Sequence, residues 1–162
     1  MTLSIRIAEP ADIPALFTLE QSSTTAAHWS HDHYTDIFAT ATPTLMRRLA
    51  LVAVDTSPSH GIVCGFLIAR IVATEWESEW EIENIVVAES SRRQGIGSQL
   101  LTNFLTRAQL HPGTTAILEV RESNLPARKL YERFNFLAEG KRPNYYNNPL
   151  EDAVLYRLVH ST

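Results

Sequence analysis

Cysteine is almost missing from this 162-residue chain: Cys64 stands alone. No internal disulfide can form, so apolar burial has to hold the fold, and a chain of this length can bury enough to do so. Cys64 sits in IVCGFLIA with no charged neighbour to lower its pKa, which argues for a small buried strand residue and against a nucleophile. No apolar run is long enough to span a bilayer, and MTLSIRIAEPADIPALF lacks the basic region, apolar stretch and cleavage site of a secretion signal. A cytoplasmic protein with no membrane partner is expected. Positive charge is short as well, 14 Lys and Arg against 18 Asp and Glu for a net charge of -4. No basic tract is interleaved with aromatics either, and both features argue against nucleic-acid binding. Repeats and low-complexity tracts are also lacking. What remains is a globular composition, 44% hydrophobic and 20% charged, expected to form a single domain over residues 1–162.

SIRIAE reads as a short strand, and after Pro10 the residues Ile13, Leu16, Phe17 and Glu20 recur with helical spacing. Ser30 can cap a second helix, SHDHYTDIFA. LALVAVDT and IVCGFLIARIV read as two strands joined through Pro58 and Gly61. The stretch TEWESEWEIENIVV, residues 74–87, has a glutamate at every second position from Glu75 to Glu83 and then turns apolar. Its turn is expected at Glu77, Ser78 and Glu79, with Glu79, Glu81 and Glu83 sharing a face. Ile96, Leu100, Leu101, Phe104, Leu105 and Ala108 form an apolar helical stripe that His111, Pro112 and Gly113 end. AILEV is a buried strand, Asn124 caps the short helix LPARKLYERF with Pro126 in its first turn, and DAVLYRLV adds one strand in the tail. Strands run together early and alternate with helices later, so the fold class is α+β (mixed α/β) around one sheet.

Glycine is scarce, six residues in all, yet two of the six fall in RRQGIG, between an apolar strand and an amphipathic helix. Glycines there let the backbone turn tightly and aim several N–H groups at one place, where the helix dipole, Arg92 and Arg93 also favour an anion. Taken alone, the pair fits an anion site and a plain strand-to-helix turn equally well. The spacing of a dinucleotide loop, G-x-G-x-x-G, and that of a triphosphate loop, G-x-x-x-x-G-K-[ST], are both absent.

IVVAESSRRQGIGSQLL resembles the acetyl-CoA-binding signature of the GNAT superfamily of N-acetyltransferases, whose pattern R/Q-x-x-G-x-G/A is met by Arg92, Gly95 and Gly97. LEVRESNLPARKLYERFNF, followed by NYYNNPLEDAVLY, is similar to the branch that acetylates protein N-termini, closest to the bacterial ribosomal-protein-alanine N-acetyltransferases. The resemblance covers residues 82–158 by motif and the first half by general fold. It implies a central mixed, mostly antiparallel sheet with splayed middle strands, flanked by helices, and acetyl-CoA as co-substrate. The amides of Gln94, Gly95, Ile96, Gly97 and Ser98 would hold the pyrophosphate, with Arg92 and Arg93 at the rim. Ile85, Val86 and Val87 would run along the pantetheine arm and acetyl group, the Val87 N–H facing the oxyanion, and Asn124 would reach the arm from the other side.

Acetyl transfer to an amine needs a neutral amine, a stabilised oxyanion and a proton for the departing thiolate. Glu119 is a charge inside the apolar strand LEVR, expensive unless used or paired, and the resemblance makes it the general base. Tyr131 reads by itself as a core aromatic; the resemblance makes it the general acid beside the thioester. An α-amine, with a pKa near 7.7–8.0 against about 10.4 for lysine, needs little help to deprotonate. The expected acceptor is a basic protein N-terminus or peptide, of the kind ribosomal proteins carry, steered by Glu81 and Glu83 and contacted by Trp29, Tyr145 and Tyr146. A small-molecule amine, a lysine side chain, or a non-catalytic acetyl-CoA-binding domain are the alternatives that the motifs leave open. His28, His31, Asp32 and His33 lack the spacing of a metal site, so no metal is expected. A monomer or weak homodimer is expected.

Overall fold

Runs of β-branched and apolar residues form seven strands among the described residues: β1 (Leu3–Ile7), β2 (Met46–Asp55), β3 (Ile62–Ala73), β4 (Ser78–Val87), β5 (Thr114–Arg121), β6 (Leu137–Tyr146) and β7 (Glu151–Val159). The structure, a computed structural model, describes residues 2–38, 46–57, 61–108 and 113–159. The strands make one sheet in the order β1-β2-β3-β4-β5-β7-β6, antiparallel throughout except for the parallel pair β4 and β5. Helices α1 (Ile13–Gln21) and α2 (His31–Phe38) cover one face, while α3 (Ile96–Ala108) and α4 (Leu125–Arg133) cover the other. A parallel pair needs a crossover, and α3 supplies it between β4 and β5. No helix among the described residues is long and apolar enough to cross a membrane.

The helices dock as their sequence periodicity requires. Ile96, Leu100, Leu101, Phe104 and Ala108 form the buried stripe of α3, and Phe104 meets Trp80 of β4 edge-on at 5.8 Å between ring centres. Burying each large side chain of this kind stabilises the fold by about 1.5–3 kcal/mol before entropy is counted. Asn124 caps α4 by accepting a hydrogen bond from Ala127 N at 3.3 Å, with Pro126 in the first turn. Ser30 Oγ accepts from His33 N at 3.3 Å at the start of α2.

Two irregularities in the middle of the sheet shape everything near them. The pairing of β3 with β4 shifts between Ile68 and Ala69, leaving Glu83 as an extra residue on β4. That one residue exchanges the faces of the strand: Trp80 and Ile82 pack on the α3 side before it, Ile85 and Val87 after it, and Val86 turns to the α1 side. The second irregularity is an early end to pairing. β4 and β5 pair from Ser78 with Thr114 to Ile82 with Leu118 and no further, although β4 continues along β3 to Val87 and β5 along β7 to Arg121. Beyond Ile82 and Leu118 the two middle strands part, as the family resemblance implies.

Three details depart from the sequence expectations or complete them. The tail holds two strands where the sequence predicts one, because β6 is an edge strand exposed from Leu137 to Tyr145 and so lacks any apolar alternation to read. The β3–β4 turn lies at residues 74–77, so of the expected Glu77, Ser78 and Glu79 only Glu77 belongs to it. There Thr74 Oγ1 accepts from Glu77 N at 3.1 Å while Thr74 N donates to Glu77 O at 2.8 Å, so the threonine closes the turn and Ser78 already starts β4. Cys64 is buried with its Sγ 3.3 Å from Ala53 O, and burial pushes its thiol pKa up, away from a nucleophile's. Pro58, His111 and Pro112 lie outside the described residues.

Gly65 of β3 is where β4 and α3 close in, since a Cβ there would stand 2.9 Å from Val86 O and 3.2 Å from Ile96 Cγ2. A strand carbonyl cannot swing aside as a side-chain tip can. Gly65→Ala should therefore destabilise the protein by about 1–3 kcal/mol, seen as a lower urea midpoint at unchanged slope. An unchanged midpoint would show that β4 and α3 separate freely.

Candidate active site

The loop after β4 has the features of an anion site. Residues 92–95 are exposed, Arg93 and Gly95 have positive φ of 60° and 79°, and α3 starts at Ile96. Among the described residues no backbone or side-chain acceptor takes the N–H groups of Gln94, Gly95, Ile96, Gly97 or Ser98; the first amide of the series to be bonded is Gln99 N, to Gly95 O at 3.0 Å. These free donors, the positive end of a 13-residue helix and the exposed guanidinium of Arg93 suit a diphosphate. Arg92 is partly engaged, its Nε donating to Val87 O at 3.3 Å. Gly97 packs closely on α4, since a Cβ there would stand 3.2 Å from Leu130.

The gap between the parted strands forms a notch of about 80 Å³, lined among others by Ile85, Asn84, Glu119, Asn124, Tyr131 and Tyr146. It adjoins a cleft of about 560 Å³ walled on one side by Ala26 to Trp29 of the α1–α2 connection and on the other by Tyr145 to Asn148 of the β6–β7 turn. Ile82, Glu83, Glu119, Arg121 and Tyr146 line both. β5 is thus the shared wall: Glu119 and Arg121 look into the cleft while Leu118 and Val120 join the core on the α3 and α4 side. Glu119 and Tyr131, separate in the sequence, face the same notch.

Their surroundings differ. Tyr131 is buried at 3% exposure, its ring edge-on to Phe136, and burial followed by the neighbouring Tyr146 holds its phenol pKa well above the usual value. It therefore stays protonated at neutral pH. Burial, with Tyr145 and Glu119 nearby, pushes Tyr146 up to about 12. Tyr145 is raised too, first by burial and then by its contact with the Glu119 carboxylate. Glu119 is bound by Arg142 of β6, whose Nε lies 3.0 Å from Oε1. Arg121 packs its guanidinium 4.3 Å over the Tyr146 ring and reaches Glu151 at 3.2 Å, tying β5 to the start of β7.

The glutamates correct one expectation. Glu81 and Glu83 do line the cleft, but neither carries an uncompensated charge: Glu81 is paired with Arg70, and Glu83 accepts from Nε of Arg48 at 2.9 Å and from its Nη2 at 3.2 Å. The negative field expected along the strand is largely cancelled by arginines on β2 and β3, which the sequence alone does not pair with it. Trp29 lines the cleft and lies 4.2 Å from the His33 ring, while His31 packs edge-on to Phe17. Among the described residues no group of three or more His, Cys, Asp or Glu is arranged to hold a metal ion. Arg142 and Asn84 also belong to the site and were not legible, one on an unreadable edge strand and the other inside an apolar run.

Residues 13–136 match the acetyltransferase (GNAT) family. The ribosomal protein bS18-alanine N-acetyltransferase of Escherichia coli K12 is 30% identical over 152 residues, 93% of each chain. The Salmonella typhimurium enzyme of the same name is 30% identical over 157 residues, 96% of each chain. Among solved structures, the ribosomal-protein-S18-alanine N-acetyltransferase from Escherichia coli superposes with a TM-score of 0.77 at 26% identity, covering 99% of this chain and 97% of that one. Arabidopsis thaliana NAA60 in complex with acetyl-CoA superposes with a TM-score of 0.83 over 97% and 98% of the two chains, at 21% identity, a likeness of fold alone. Family match, near-complete coverage by relatives and an anion loop ahead of parted strands agree: the chain belongs to the GNAT acetyltransferase family and is an acetyl-CoA-dependent N-acetyltransferase.

Proposed function

We propose that this enzyme acetylates the α-amine of a protein N-terminus, with ribosomal proteins as the acceptor class. The observation that carries the reading is the wide cleft between two loops that adjoins a notch lined by both Glu119 and Tyr131. A chain end can enter such a cleft and present its amine at the bottom. The E. coli and Salmonella relatives act by name on the alanine of ribosomal protein bS18, which supports the acceptor class.

Acetyl-CoA supplies the thioester. The amides of residues 94–98 hold its diphosphate, with Arg92 and Arg93 at the rim, and the unpaired edge of β4 at Ile85, Val86 and Val87 offers main-chain groups to its arm, faced by Asn124. Glu119 takes the proton from the acceptor ammonium, whose pKa near 7.7–8.0 makes this a small step. The Val87 N–H stabilises the oxyanion, and Tyr131, kept protonated by burial, donates to the departing sulfur. Trp29, Tyr145 and Tyr146 contact the peptide from the two lips.

Incubating peptides that begin Ala-Arg and Ser-Arg with acetyl-CoA should add one acetyl group at the α-amine, located by fragment mass spectra, and none to the same peptides with a blocked N-terminus. Modification of lysine side chains alone would refute the reading. Glu119→Gln and Tyr131→Phe should each lower kcat by about a hundredfold or more while calorimetry shows acetyl-CoA binding nearly unchanged; near-normal turnover removes these roles. Because Arg48 and Arg70 mask Glu83 and Glu81, the double variant Arg48→Gln, Arg70→Gln should lower the KM for a basic peptide roughly two- to fivefold at low salt, the scale of part-exposed pairs. High salt should abolish the gain, and an unchanged KM at low salt would show that these glutamates do not meet the acceptor.

A further inference from the structure

Glu20, in the last turn of α1, is fully buried, yet no arginine, lysine or histidine is among its hydrogen-bond partners. A carboxylate taken out of water this way is tolerated when strong hydrogen bonds replace the lost hydration. Glu20 has two. Its Oε2 accepts from the backbone N of Trp29 at 2.9 Å, and its Oε1 accepts from Asn84 Nδ2 at 2.6 Å. The Tyr34 phenol, its pKa raised by burial and then by Glu20, closes the pocket from α2.

The two partners belong to different parts of the site. Trp29 ends the segment Ala26 to Trp29 that walls the wide cleft, and Asn84 follows the extra residue Glu83 on β4 and lines the notch. One buried side chain thus fixes the distance between the lip of the cleft and the strand that opens. A helix that needed only to pack would carry leucine at this position, as it does at Leu16 one turn earlier.

We infer that Glu20 is a positioning residue for the acceptor: through Trp29 N and Asn84 it holds the α1–α2 lip at the spacing that admits the amine-bearing substrate. The inference rests on the reading that this cleft takes the acceptor. It does not depend on which groups act as acid and base.

Exchange of the charge across the contact tests it. Asn84→Asp removes the donor to Glu20 and sets a second buried carboxyl beside it. The pair shares one proton at low pH and repels once that proton is lost, so as the pH is raised the peptide KM should climb at least tenfold over wild type, and by more than the KM for acetyl-CoA does. Adding Glu20→Gln restores a donor and acceptor pair, the new amide donating to Asp at 84 and accepting from Trp29 N. The double variant should return the peptide KM to within about threefold of wild type. A peptide KM unmoved by Asn84→Asp overturns the inference. So does an equal rise in both KM values with a lowered unfolding midpoint and no recovery in the double variant, which is the pattern of a purely structural contact. Should the wild type act on another amine, the N-terminal reading fails, and the same comparison run with that amine still decides the role of Glu20.

Discussion

Two neighbouring strands that stop pairing while still inside a sheet leave main-chain donors and acceptors with no strand to bond, a cost that persists where something else uses them. In this protein β4 and β5 do so after Ile82 and Leu118. The separation is held from both sides, because β3 keeps β4 to Val87 and β7 keeps β5 to Arg121. The extra residue Glu83 falls at the fork and turns the next residues of β4 over, bringing Ile85 and Val87 to the α3 and α4 side. From this follow the position of the glycine loop at the mouth of the gap, the placement of Tyr131 at its inner side and the entry of the cleft on the opposite face.

The charges near the gap are arranged more for geometry than for field. Glu81, Glu83 and Glu119 each face an arginine, and Arg121 is neutralised by Glu151. Pairs of this kind at part-exposed positions contribute little to stability, but they hold long side chains clear of the cleft and fix the strands that carry them. Glu119 differs in that its partner Arg142 is itself exposed, at 56%, on an edge strand with an irregular register, so an incoming ammonium has only an exposed guanidinium to displace from the carboxylate. Tyr131 is the opposite case, removed from solvent and held in its protonated form.

Much of the architecture could be read from the chain, and the failures have physical causes. α3 was legible because its stripe is long and strictly helical, and α4 because Asn124 and Pro126 mark its start. Glu119 stood out as a charge in an apolar strand, whereas Glu20 entered only as one of the helically spaced residues of α1, because nothing in the sequence named its partners on the α1–α2 connection and β4. β6 was hidden because an exposed edge strand has no buried face to impose alternation. The glutamate run misled for a related reason: Arg48 and Arg70 cancel it from other strands, and register between strands is not written in either one alone. Periodicity is equally silent on the parting of β4 and β5, which family motifs implied.

A crystal structure with coenzyme A joined through an acetyl linker to a short peptide tests the central claim most directly. The linker should thread the gap between residues 83–87 and residues 119–121, with the diphosphate on the amides of residues 94–98 and the peptide leaving through the cleft beside Trp29 and Tyr145. A conjugate bound elsewhere, or a β4 and β5 that zip together past Ile82 and Leu118 when it binds, would contradict the account.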